Sequence, residues 1–110
     1  MTKIDLTDAR TESERRLTNR KKLIIDVEFE DGDGTGIANT RDIGCGGLYM
    51  TTSAKLDTGS RIRMRLSIGG RDLSLQGVVV YSDPGHGVGV RFHDLSDEDE
   101  TLLRNELGLN

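Results

Sequence analysis

The sequence predicts an all-β domain with one helix: six short antiparallel strands closing into a small barrel, followed by a C-terminal α-helix. Three observations carry this. Apolar and polar residues alternate over short runs, the period of half-buried strands. Turn chemistry separates the runs, with 14 glycines against one proline. Only the last stretch has a capped helical pattern. At 110 residues there is room for a single domain. With 34% hydrophobic and 4% aromatic residues, its core must be small and aliphatic.

Residues 1–14 are polar and lack a sustained apolar period, so they read as a flexible leader, with the barrel domain over 15–110. The first strand is expected over Leu23–Glu30, where Ile25, Val27 and Phe29 share one face and acids take the other. Asp31-Gly32-Asp33-Gly34 is a hairpin turn. Gly36–Asp42 reads as the second strand, and a polar turn at Gly44–Gly47 leads into the third, Leu48–Thr52. A connection broken by Gly59 precedes Arg61–Ile68, which alternates cleanly and so has one wet face and one buried face. Gly69-Gly70 signals a two-residue hairpin. The return strand runs over Leu73–Tyr81, with Leu73, Leu75, Gly77 and Val79 on one face. Asp83-Pro84-Gly85 turns the chain into the last strand, Gly87–Phe92. Ser96 with Asp99 three residues on is an N-cap signal, Leu102, Leu103 and Leu107 supply the apolar face, and Gly108 ends the helix.

Charge narrows the function. The net charge is −4. A general nucleic-acid binder needs a basic surface for counterion release and aromatics for stacking, and this chain has little of either. Its positive charge is instead gathered in Arg15, Arg16, Arg20, Lys21 and Lys22. A basic island in an acidic protein suits a compact anion. One cysteine allows no intramolecular disulfide, and Cys45 and the two histidines have no partner spacing that suggests a nucleophile or a metal. No nucleophile–base pair or carboxylate pair argues for an enzyme. The N-terminus has no apolar signal region and no run is long enough to span a bilayer, so a cytoplasmic protein without membrane insertion is expected.

Two stretches carry chemistry: Arg15-Arg16-Leu17-Thr18-Asn19-Arg20 and Asp42-Ile43-Gly44-Cys45-Gly46-Gly47. Guanidinium groups grip phosphate bidentately and stack on flat rings. A carboxylate such as Asp42 accepts from the N–H edge of guanine. Together they suggest a nucleotide site built from two distant segments. Gly44 and Gly47 permit positive φ or close backbone approach at the turn.

Arg16-x-x-x-Arg20 with Asp42-x-Gly44-x-x-Gly47 resembles the paired motifs RxxxR and (D/N)xSxxG of the PilZ domain family, whose members are mostly bacterial receptors for cyclic di-GMP. Gly46-Gly47-Leu48-Tyr49-Met50, Gly87-Val88-Gly89-Val90-Arg91-Phe92 and the acidic terminal helix extend the likeness over Arg15 to Leu107. The resemblance implies a six-stranded antiparallel barrel. It implies a cyclic di-GMP site at Arg15, Arg16, Arg20, Asp42, Gly44 and Gly47, with Arg16 and Arg20 on phosphate and guanine. In the family an arginine at the place of Arg15 accompanies two stacked, intercalated ligand molecules. At Gly44 the family usually has serine, and one hydroxyl donor is missing.

The resulting expectation is a stand-alone receptor with no cofactor and no metal. It would order its N-terminal arginine segment on cyclic di-GMP and present the new surface to an effector protein. The alternative is a protein–protein adaptor on the same fold that no longer binds nucleotide, which the glycine at position 44 supports.

Overall fold

The computed structural model describes residues 20–32 and 34–108. The 1–14 leader, Arg15 and Arg16 lie outside them. The described chain forms seven strands and one helix: β1 (Arg20–Lys22), β2 (Asp26–Asp31), β3 (Gly34–Gly44), β4 (Gly47–Thr51), β5 (Arg61–Ile68), β6 (Arg71–Asp83), β7 (Gly87–His93) and α1 (Asp97–Glu106). Strand order is β1-β3-β2-β5-β6-β7-β4, and β4 pairs back onto β3. Strands β2 to β7 therefore close a six-stranded antiparallel barrel, as the alternation predicts. Closure leaves few unpaired sheet edges for such a small domain to protect.

The inward faces are mostly aliphatic, with Phe29 and Thr40 as exceptions. Val27 and Phe29 of β2, Ile62, Met64, Leu66 and Ile68 of β5, and Leu73, Leu75 and Val79 of β6 are buried. The outward face of β5 is arginine and serine, so the register of that strand is fixed by which face meets water. Gly69 and Gly70 both have positive φ (60° and 79°), as a tight hairpin between right-twisted strands requires. Helix α1 begins where expected: Ser96 caps it by accepting from the Asp99 amide at 3.0 Å. Leu103 and Leu107 drop into the core, and the Glu106 carboxylate lies over Gly69. Among the described residues no helix is long and apolar enough to cross a membrane.

The first strand departs from expectation. In place of one strand over 23–30 there are two short ones, both on the same edge of β3 and broken at Leu23–Ile25. The cause is Thr40, a buried polar side chain in an aliphatic core. Its hydroxyl donates to the Leu23 carbonyl and accepts from the Ile25 amide at 3.0 Å, while its own amide donates to the Ile25 carbonyl at 2.9 Å. The hydroxyl takes over backbone groups that a continuous ladder would have paired. The chain bows out there, Ile24 is left 78% exposed, and β1 returns to pair Arg20 with Gly44, Lys21 with Ile43 and Lys22 with Asp42.

Candidate functional site

Strict alternation along β3 would turn Asp42 inward beside Thr40. A β-bulge prevents this. Thr40 pairs with Met50 and Asp42 with Tyr49, so Arg41 is an extra residue opposite no partner. A bulge shifts the phase of the strand by one. Arg41 and Asp42 therefore both turn toward the outside, and Ile43 returns to the core.

β6 does the same on the far side. Val79 pairs with Val90 and Tyr81 with Gly89, leaving Val80 as the extra residue. Val80 and Tyr81 are consequently exposed at 47% and 56%. Between the two bulges run β4 and β7, and there the outward positions include Gly47 and Gly89. The result is a groove of about 640 Å³. Arg20, Lys22, Arg41, Asp42, Tyr49, Val80 and Arg91 line it, together with Gly46, Gly47 and Gly89.

The side chains in this groove are already connected. Arg20 Nε donates to Asp42 Oδ1 at 2.7 Å, and Arg20 Nη2 lies 2.5 Å from the same oxygen. Arg41 Nε donates to Asp42 Oδ2 at 3.3 Å. The guanidinium carbon of Arg41 sits 4.0 Å from the centroid of the Tyr49 ring, a cation–π contact. One carboxylate thus holds two arginines, one of them braced on an aromatic face. Four cationic side chains, Arg20, Lys22, Arg41 and Arg91, line the groove with that single acid. The arrangement can bind a dianion through the guanidiniums and accept hydrogen bonds through Asp42.

Gly44 ends β3 and Gly47 starts β4, with Cys45 and Gly46 as the turn. Positive φ is not what either glycine supplies; among the described glycines it occurs at 59, 69, 70, 85 and 108. Gly47 is needed for close approach: a Cβ there would stand 2.1 Å from the Val90 carbonyl oxygen. The structure thus brings Arg20, Asp42 and Gly47 into one groove, while Gly44, buried and in register with Arg20, does not line it. The alternation pattern gave no sign of Tyr49, Val80, Gly89 or Arg91 as neighbours of this site, and Arg41 lay within the expected strand Gly36–Asp42 with no role assigned. Among the described residues no group of three or more His, Cys, Asp or Glu side chains is placed to hold a metal ion.

A basic groove with one acid in its lining thus lies on the outside of a small closed barrel. The chain matches the family described as PilZ domain over residues 14–108, and it belongs to that family. Among solved structures it is similar to the PilZ domain of CeSA from a cellulose synthesizing bacterium, with 26% identity and a TM-score of 0.64 over 81% of this chain and 95% of that one. It is also similar to the Bacillus subtilis Inhibitor of motility (MotI/DgrA), with 16% identity and a TM-score of 0.67 over 76% of this chain. That second likeness is one of fold, and the match covers 45% of the Bacillus protein. No curated protein matches the chain. PilZ domains are non-catalytic receptor and adaptor folds, with cyclic di-GMP a typical ligand.

Proposed function

We propose that this chain is a cyclic di-GMP receptor that passes ligand binding to an effector protein. The observation that carries the reading is the meeting of Arg20 and Asp42 in a groove that Gly46, Gly47 and Gly89 also line. Phosphate is a better partner for Arg20 than a carboxylate already shared with Arg41. The N1–H and N2–H edge of guanine is a donor pair that Asp42 can accept in exchange. The exchange is cheap, because an exposed ion pair contributes only about 0–1 kcal/mol. Arg16 adds a second guanidinium, Arg15 a third, and the segment that carries them closes over the ligand. The closed segment and the groove together form the surface that the effector reads.

A second reading keeps the fold and drops the nucleotide. Two observations favour it: Gly44 lacks the hydroxyl usual in the family, and both oxygens of Asp42 are already engaged. Calorimetric titration of the purified protein with cyclic di-GMP separates the two. Binding with a dissociation constant of roughly 1 μM, about 8 kcal/mol, supports the receptor. No heat with ligand at several hundred micromolar, on the order of a 5 kcal/mol ceiling, leaves the adaptor.

A further inference from the structure

A second basic surface adjoins the groove and shares Arg91 with it. Across β5, β6 and β7 the register sets Arg61 beside Val78 and Val78 beside Arg91. The next outward row sets Arg63 beside Gln76 and Gln76 beside His93. A concavity of about 370 Å³ opens there, lined by Arg61, Arg63, Gln76 and His93, with Glu30 and Asp31 at one border. Arg63 is only loosely held by Glu30, at 3.9 Å, and His93 Nε2 lies 3.2 Å from Asp94 Oδ2. Arg61 and Arg91 have no ion-pair partner among the described residues.

The neighbouring β2–β5 rows differ: there Arg65 faces Glu28 at 3.6 Å and Arg63 faces Glu30 at 3.9 Å. Here two guanidiniums flank half-buried Val78 with no acid between them. Among the described residues, neither guanidinium gains an ion pair from the fold on this face.

We propose that the outer face of β5, β6 and β7 docks a short acidic segment of a partner protein. Strands lie about 4.8 Å apart, so Arg61 and Arg91 stand roughly 10 Å apart at their Cα atoms. An extended segment puts every second side chain on one face, spaced about 6.6 Å. Carboxylates at alternate positions therefore reach both guanidiniums through long, adjustable side chains. Val78 between them excludes some water and strengthens both pairings. A long polyanion fits worse, since Glu30, Asp31 and Asp94 stand at the borders and repel its continuation. The inference does not depend on nucleotide binding, although Arg91 also lines the groove.

The probe is a labelled peptide of alternating glutamate and serine, followed by fluorescence anisotropy and by amide chemical shifts. Saturable binding is expected, with shifts centred on Val78 and its neighbours in β5 and β7. Arg61→Glu should weaken it by at least about tenfold. Lys55→Glu makes the same charge change at an exposed residue that lines neither this concavity nor the groove and should change it less than about twofold. Equal loss in both variants, equal binding of a glutamine–serine peptide, or shifts centred on β1 and β3 would overturn the proposal. Titrating Arg61→Glu with cyclic di-GMP keeps the two readings apart, because Arg61 does not line the nucleotide groove and wild-type behaviour is expected there.

Discussion

Arg20 and Asp42 meet diagonally across two strands: Arg20 is in register with Gly44 and Asp42 with Lys22, yet Arg20 Nε reaches Asp42 Oδ1 at 2.7 Å. Diagonal neighbours on a sheet are within reach only of long side chains. The pair is exposed enough (39% for the arginine side chain) to add little to stability. Arg20→Ala should therefore leave the melting temperature almost unchanged and abolish cyclic di-GMP binding. Arg16→Ala should do the same. Thermal unfolding and calorimetry on the same samples check both halves, and normal binding by either variant would remove the phosphate assignment.

Asp42→Asn should cost selectivity more than affinity for phosphate. The carboxylate accepts from both donors of the guanine edge, whereas an adenine presents one donor and one acceptor there. An asparagine amide can satisfy either base. Cyclic di-GMP should weaken by about tenfold, and its advantage over cyclic di-AMP should shrink by a similar factor. Competition of the two nucleotides against a labelled ligand measures this. A variant that still prefers guanine as the wild type does would show that Asp42 acts only as a holder of Arg20 and Arg41.

The Thr40 hydroxyl reaches the groove only through the backbone. It holds the carbonyl of Leu23 and the amide of Ile25, and so fixes where β1 resumes and where Arg20 points. Thr40→Val keeps the volume but leaves two backbone groups without their partner. That should cost about 1–3 kcal/mol of stability, seen as a lower denaturant midpoint. It should also weaken nucleotide binding at a temperature where the variant is fully folded. Loss of stability with unchanged affinity would mean that Arg20 finds its place without this tie.

How far the site can be read from the sequence follows from these same residues. The six barrel strands announce themselves because period-two alternation survives wherever one face is buried, as in Arg61–Ile68. Ser96, Asp99 and Gly108 mark the helix ends by local chemistry that needs no tertiary partner. The bulges at Arg41 and Val80 are different. Each is a one-residue offset between two strands, so it exists only in the pairing. The only trace is a local failure of alternation, Arg41-Asp42 on one strand and Val78-Val79-Val80 on another. The break at Leu23–Ile25 was hidden for a similar reason: a threonine 15 or more residues away replaces the ladder. Arginines and Asp42 were legible as chemistry; Tyr49, Gly89 and Arg91 became part of the site only when β4 and β7 were set between the bulges.

Gly44→Ser restores the hydroxyl usual in the family at a position where φ is not positive, so no left-handed strain opposes it. One added neutral hydrogen bond contributes about 0.5–1.5 kcal/mol, up to roughly tenfold in affinity. Tighter binding at unchanged melting temperature is the expected result. Because Gly44 is buried at the end of β3, a lower melting temperature with weaker binding would show instead that the new atoms crowd β1.

The stoichiometry is expected to be two stacked ligands per chain, and the reason is Arg15. One ligand needs its phosphates and one guanine satisfied, which Arg16, Arg20 and Asp42 can do between them. A third guanidinium directly before this pair has no task in a one-ligand site. It can stack on, or donate to, the guanine of a second molecule. Intercalation then buries each base face against another base rather than against water. The groove offers room at its open side, where Val80 and Tyr81 stand out from the β6 bulge. Calorimetry on wild type beside Arg15→Leu decides the point. A change from two to one on removing Arg15 assigns it to the second ligand. A wild-type value of one would return Arg15 to the solvent, and the groove would then be filled by a single nucleotide held between the Arg41 and Val80 bulges.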